Sequence, residues 1–242
     1  MGWQRRSRRR LPPDTICYLC GVEIQPDQDW NKDHVPPQRF YAKSIRSTFN
    51  PNLHGLHTHT ACNSGYKADE EYYVACFAGH ADSQTGRAVF ADWRRALEQG
   101  HDSGLIKTIM GQFGKVVLAD GSRVFNYDVD RAGRITWKLV RGIYFTEVGR
   151  FLPEQLPKRL FMLSPHENQH AATKYPWWPL VRDTEPLGTH GAVFDYKWLC
   201  TTVDGVRAHA IGMLLWDRLL MLAVFHDPSC PCLDCVRQSW PK

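Results

Sequence analysis

The sequence predicts an α+β protein in three parts. These are a small β-β-α unit near the N-terminus held by metal-ligand side chains, a set of amphipathic helices, and a C-terminal antiparallel β-meander. Three observations carry that expectation. Cys17-x-x-Cys20 and His59-x-x-Cys62 frame the Pro-limited segment Asp33-His34-Val35-Pro36-Pro37. Apolar residues recur at helical spacing at Val89, Trp93 and Leu97, and again at Leu139, Val140, Ile143, Tyr144 and Val148. Three strand-like runs, 192–203, 206–215 and 219–225, are joined by Asp204-Gly205 and Asp217-Arg218.

Taken in order, residues 1–14 are a basic tail and linker. Residues 15–21 form a tight turn in which Gly21 lets the backbone curl behind the second cysteine, followed by a short strand at 22–24. A polar loop leads to Asp33-His34, where Pro36 and Pro37 exclude helix and favour extended structure. Residues 40–49 are a short helix or an irregular excursion, Asn50-Pro51-Asn52 a turn, and 53–59 a strand. Asn63 enters a helix that Lys67 carries on to Phe77. Helices are expected over 83–99 and 103–113. A hairpin follows with strands at 115–118 and 123–127 around Asp120-Gly121. The next helix is expected over 135–151 and a strand over 159–163. Residues 166–190 read as a long loop. The division is a tail at 1–14, a metal-bearing domain at 15–112, and an accessory or recognition region at 113–242.

Composition bounds the class. A chain of 242 residues, 43% apolar and 23% charged, buries a sizeable core and is neither disordered nor collagenous. No apolar segment reads as a signal peptide, and the run 211–225 is interrupted by Asp217-Arg218 and is too short for a bilayer. A soluble, cytoplasmic protein without membrane contact is expected. The net charge of +5 equals the five arginines of residues 1–10, and the remainder carries 25 basic and 25 acidic residues. Basicity is therefore a tail property, suited to sequence-independent attraction to phosphates or to solubility. Without a secretion signal, the eight cysteines point to metal rather than disulfides.

Zinc prefers four thiolate or imidazole ligands, and short-loop pairs supply two at a time. Cys17 with Cys20 and His59 with Cys62 make two such pairs, with His57 as an alternative to His59 on the same strand face. Between them lie groups for phosphodiester hydrolysis. That reaction needs an activated water and a cation for the charge developing on the phosphate. His34 is a proton acceptor near neutral pH. Asp33 and Asn63 offer oxygens to a hard divalent cation.

On Cys17-x-x-Cys20, Asp33-His34-Val35-Pro36-Pro37, Asn52-Leu53, His59-x-x-Cys62-Asn63 and the following Lys67 to Tyr73, the chain resembles the HNH endonuclease family over about residues 15–75. The resemblance implies a β-β-α-metal nuclease core with a structural zinc on Cys17, Cys20, His59 and Cys62. His34 would be the general base, oriented by a backbone carbonyl or by Asn52. Asp33 and Asn63 would hold a catalytic Mg2+ or Mn2+. Family members of this type cut DNA, commonly leaving 5′-phosphate and 3′-hydroxyl ends. Asn63 stands where many members carry His. The paired glycines often found before the central Asn are replaced here by a basic insertion containing Arg39, Lys43 and Arg46. Lys67, Arg39 and Lys43 are candidate nucleic-acid contacts. Asp69, Glu70 and Glu71 read as a solvated helix face outside the site.

The C-terminal region offers a possible second zinc site at His226, Cys230, Cys232 and Cys235. Cys76 and Cys200 read as core, as do most tryptophans, with Trp177-Trp178 as a contact candidate. The expected function is a DNA-cutting HNH endonuclease in bacterial or phage defence or DNA processing. Its partners would be DNA, a protein activator or complex, and a second copy of the chain. The alternative is a zinc-stabilised nucleic-acid-binding or complex subunit without cleavage activity.

Overall fold

A computed structural model of the chain describes residues 11–12, 14–49, 54–99, 103–117, 123–163, 187, 193–203 and 206–226. The N-terminal turn is closed by Gly21 N–H donating to the Cys17 carbonyl at 2.8 Å and Cys17 N–H to the Val22 carbonyl at 2.9 Å. Gly21 has φ +74° and lies so close to Phe151 that a Cβ would come within 2.6 Å of its ring, so both conformation and space call for glycine. The strand expected at 22–24 is reduced to one bridge, Ile16 to Glu23.

Strands β1 (Trp30–Val35) and β2 (His54–His59) pair antiparallel, from Trp30 opposite His59 to Val35 opposite His54. Between them come a 3-10 turn at Gln38–Phe40 and helix α1 (Lys43–Phe49). The helix expected from Asn63 onward is two helices, α2 (Thr60–Ser64) and α3 (Lys67–Phe77), with Gly65 and Tyr66 between them. Helix α4 (Gln84–Glu98) starts where Ser83, the first residue of the helix expected over 83–99, caps it by accepting at Oγ from Gly86 N–H at 2.9 Å. Helix α5 (Ser103–Gln112) leads into a hairpin of β3 (Phe113–Val117) and β4 (Arg123–Phe125).

Helix α6 (Val129–Val148) begins earlier than periodicity alone predicts, because Asp128 caps it by accepting from the N–H groups of Asp130 and Arg131 at 3.1 Å. It stops at Gly149, whose φ of +72° ends the helix in the left-handed region. Strands β5 (Lys158–Leu163), β6 (Phe194–Val203), β7 (Val206–Leu215) and β8 (Leu219–Phe225) form one antiparallel sheet in the order β5-β8-β7-β6. The last three are the expected meander, and β5 extends it beside β8.

Every residue of β8 is buried, as expected for a central strand covered on both faces. Helix α6 covers one face: Trp137 and Tyr144 meet Phe225 edge-on at 5.4 and 6.0 Å. Side chains of this size each contribute about 1.5–3 kcal/mol on burial. The same core continues to Tyr18, Phe40 and Tyr73 under the hairpin. Trp216, in the β7–β8 turn, donates its indole N–H to the Phe40 carbonyl at 2.9 Å. Helix α6 approaches β1 closely at Gly142, where a Cβ would come within 2.4 Å of Val35 Cγ2. A glycine in mid-helix costs about 1 kcal/mol relative to alanine, and that contact is the reason it is tolerated. Among the described residues no helix is long and apolar enough to cross a membrane.

Candidate metal and catalytic centre

The ligand atoms of Cys17, Cys20, His59 and Cys62 all lie within 4.8 Å of one another. The two cysteines of the N-terminal turn are brought to the end of β2 by Tyr18 N–H donating to the His57 carbonyl at 3.3 Å. The group contains His59 rather than His57, whose ring instead meets Trp30 edge-on at 5.3 Å. The environment of His59 sets its tautomer. Gln28 Oε1 accepts from Gln25 N–H at 2.9 Å, so the oxygen of that amide is identified, and it lies 3.1 Å from His59 Nε2. Nε2 is then the protonated nitrogen, which leaves the Nδ1 lone pair facing Cys20 Sγ at 3.4 Å and Cys62 Sγ at 3.9 Å. A metal-bound histidine needs this second partner.

The thiols respond to crowding. Burial opposes the Cys17 thiolate, but hydrogen bonds from Thr58 and from the backbone of His59, Leu19 and Cys20 outweigh it and bring its pKa to about 7. Burial and the neighbouring charges of Cys17 and Cys20 push Cys62 up to about 12. Three thiolates at this separation need a cation to coexist, and the donor set fits zinc. The group can hold a metal ion.

Residues 32–35 alternate across the hairpin. Asp33 and Val35 point inward, while Lys32 and His34 are on the outer face. Asp33 is 6% exposed. Its Oδ2 accepts from the Tyr18 hydroxyl and lies 2.8 Å from Lys138 Nζ of α6. The same ammonium is 2.5 Å from Glu70 Oε1 and 3.5 Å from Asn63 Oδ1. Asn63 is oriented by its amide N–H donating to Asn31 Oδ1 at 3.1 Å. Asp33 and Asn63 thus meet at one ammonium, that of a lysine that periodicity gave no reason to single out.

Glu70 is 7% exposed and Asp69 6%, so the solvated face expected over 69–71 is not what forms. Asp69 pairs with Arg131 at 2.6 Å and Arg134 at 2.5 Å, and Glu70 with Lys138. Burial raises the pKa of Glu70, opposed chiefly by Lys138. The reason is α6, whose residues 131, 134, 138 and 141 lie on one stripe by helical spacing. Arg131, Arg134 and Lys138 of that stripe meet the acids of α3. The matching charges on two segments about sixty residues apart were the available signal.

His34 is opposite Gly55, which presents no side chain over it, with the pair Lys32 and His57 beside it on the same face. Its Nε2 is 3.2 Å from Gln38 Nε2. An amide nitrogen only donates, so His34 Nε2 carries the lone pair. Burial lowers the His34 pKa, Asp33 partly opposes this, and Lys32 lowers it further. The imidazole is therefore a neutral acceptor near pH 7.

Arg39 is engaged by Glu71 at 2.9 Å. Lys43 starts α1 and Lys67 starts α3, both exposed. Asn52, Cys230, Cys232, Cys235 and Trp177-Trp178 lie outside the described residues. His226 ends the sheet, its N–H donating to the Pro157 carbonyl at 3.4 Å. Cys76, Trp137 and Trp216 are buried in the core, and Cys200 and Trp198 pack at its edge. Comparison with protein-family models, with curated proteins and with solved structures finds no match to this chain.

Proposed function

We propose that the chain is an HNH-type endonuclease that hydrolyses DNA phosphodiester bonds, with a structural zinc on Cys17, Cys20, His59 and Cys62. The observation that carries this reading is a neutral imidazole, His34, with its lone pair on the open face of a hairpin, one residue from the inward cluster of Asp33 and Asn63. His34 Nε2 takes a proton from water, in the place now held by the Gln38 amide. The water oxygen attacks phosphorus, the bond to the 3′ oxygen breaks and that oxygen takes a proton from solvent, giving a 5′-phosphate and a 3′-hydroxyl. Asp33 and Asn63 would hold a divalent cation, Mg2+ or Mn2+, which supplies Lewis-acid stabilisation of the phosphate charge. Lys32, exposed beside His34 on this face, is a basic group for a backbone phosphate, and exposed Lys67 at the start of α3 is a further candidate. A role in bacterial or phage defence or DNA processing, in the cytoplasm, goes with this reading.

One observation favours a second reading: Lys138 already satisfies Asp33 and Asn63. In a nucleic-acid-binding subunit without turnover, that pairing would be permanent.

The test is nicking of supercoiled plasmid by the purified chain with Mg2+ or Mn2+. His34→Ala is expected to lose about a hundredfold or more of the rate while keeping wild-type zinc content and melting temperature. Equal cutting by His34→Ala sinks the base assignment, and an inert wild-type chain that still retards DNA favours the binding subunit.

A further inference from the structure

Lys138 is 1% exposed, and its ammonium is where Asp33 Oδ2, Glu70 Oε1 and Asn63 Oδ1 converge. An ammonium removed from water loses several kcal/mol of solvation unless oxygens replace it. Here two carboxylates and an amide oxygen do so. These are also the donors that a hard divalent cation takes. The position is not a matter of a loose side chain. Lys138 is one turn before Gly142, where α6 has no room to approach β1 more closely, and Tyr18 holds Asp33 from the other side.

The two cations compete for the same oxygens. Mg2+ sits about 2.0–2.1 Å from its oxygens. An ion at that distance from Asp33 Oδ2 and Asn63 Oδ1 would lie against an ammonium already 2.8 and 3.5 Å from the same two atoms. Charge disfavours joint occupancy as well, since an ammonium and a divalent ion together bring three positive charges to the two negative charges of Asp33 and Glu70.

We propose that Lys138 is a tethered counter-cation of this site, that it and a divalent cation exclude one another, and that Glu70 is a ligand to whichever is present. The inference rests on reading Asp33 and Asn63 as cation ligands. It adds a resting state in which the chain supplies its own cation and divalent ions gain entry only when Lys138 withdraws. If the site is open in about one molecule in a hundred, apparent affinity for the ion falls about a hundredfold.

The experiment uses the full, zinc-loaded chain and titrates Mn2+, reading free Mn2+ by electron paramagnetic resonance and stability by melting temperature. Wild type is expected to bind Mn2+ weakly. Lys138→Met should bind one Mn2+ at least about tenfold more tightly and gain more melting temperature from it than wild type gains. Lys138→Gln keeps an amide donor to the carboxylates without the charge, and should show the same gain if the methionine variant does not fold. Adding Asp33→Asn or Glu70→Gln should remove it. Equal Mn2+ affinity in wild type and Lys138→Gln overturns the proposal. So does the absence of Mn2+ binding in every folded variant, or a gain that survives both Asp33→Asn and Glu70→Gln. Tight Mn2+ binding by Lys138→Gln with no DNA cleavage by any variant leaves the exchange standing and removes the endonuclease reading. His34-dependent cleavage with Mn2+ affinity indifferent to Lys138 does the reverse.

Discussion

The β1–β2 hairpin and the β5–β8 sheet are both antiparallel, yet opposite forces hold them. In the sheet, β8 runs Leu-Leu-Met-Leu-Ala-Val-Phe with every residue buried, and its stability is that of apolar surface removed from water. The hairpin reads Trp-Asn-Lys-Asp-His-Val against His-Gly-Leu-His-Thr-His. Its inner face carries a carboxylate, and its end is fastened by three thiols and an imidazole. Helix α6 serves both, presenting Trp137 and Tyr144 to the sheet and Lys138 to the hairpin. The hairpin is thus built around charged and metal-ligand side chains, and the sheet around apolar packing.

The strongest way to break this contrast is to remove the metal. Structural zinc in small domains is worth roughly 10–16 kcal/mol, so a chelator should release the hairpin before the sheet. By hydrogen exchange, amides of residues 31–34 should lose protection in the metal-free chain while those of 219–225 keep theirs. Uniform loss would mean that the two regions are one cooperative unit, and unchanged protection would mean that the four side chains hold nothing.

A smaller effect is expected where α6 meets β1. Gly142→Ala should gain helix propensity but lose about 1–3 kcal/mol to overpacking against Val35, measured by urea denaturation. Val35→Ala in the same chain should restore most of it. A Gly142→Ala variant as stable as the parent would show that α6 has room to shift, and with it Lys138.

At neutral pH the buried tyrosine hydroxyls contribute no pH dependence. Burial raises the pKa values of Tyr41, Tyr73 and Tyr196, and that of Tyr72 to about 12. Unfolded tyrosine ionises near pH 10. Above that pH the unfolded chain binds fewer protons than the folded one, so stability falls as pH rises. Their contribution is complete below pH 10 and is lost between there and the folded values. The core should thus yield in alkali, with tyrosinate absorbance developing together with the loss of the sheet. Tyrosinate signal without unfolding would place these hydroxyls in water. With a metal on Cys17, Cys20, His59 and Cys62, acid should act on the other region, by protonating those ligands.

The gathering of Cys17, Cys20, His59 and Cys62 into a group that can hold a metal was legible because ligand pairs are written in short spacings, and local spacing survives into the fold. The meander was equally legible from its turn residues. Lys138 and Glu70 were not, since no local spacing marks either residue and only the matching charges on two distant helices hint at their pairing. Asp128 before α6 was a missed local signal, as it is an N-cap residue at the point where the helix begins. Gly142 was another, being a mid-helix glycine that announces a close neighbour without saying which.

The alternation of β1 has a consequence for how the hairpin finds its pairing. Slipping β1 by one position would turn His34 inward and Asp33 outward. The lysine under the hairpin would then face an imidazole instead of a carboxylate, and Glu70 would be its one remaining anion. The buried ammonium therefore discriminates between two pairings that differ little in backbone hydrogen bonding, acting as a proofreading contact for strand alignment.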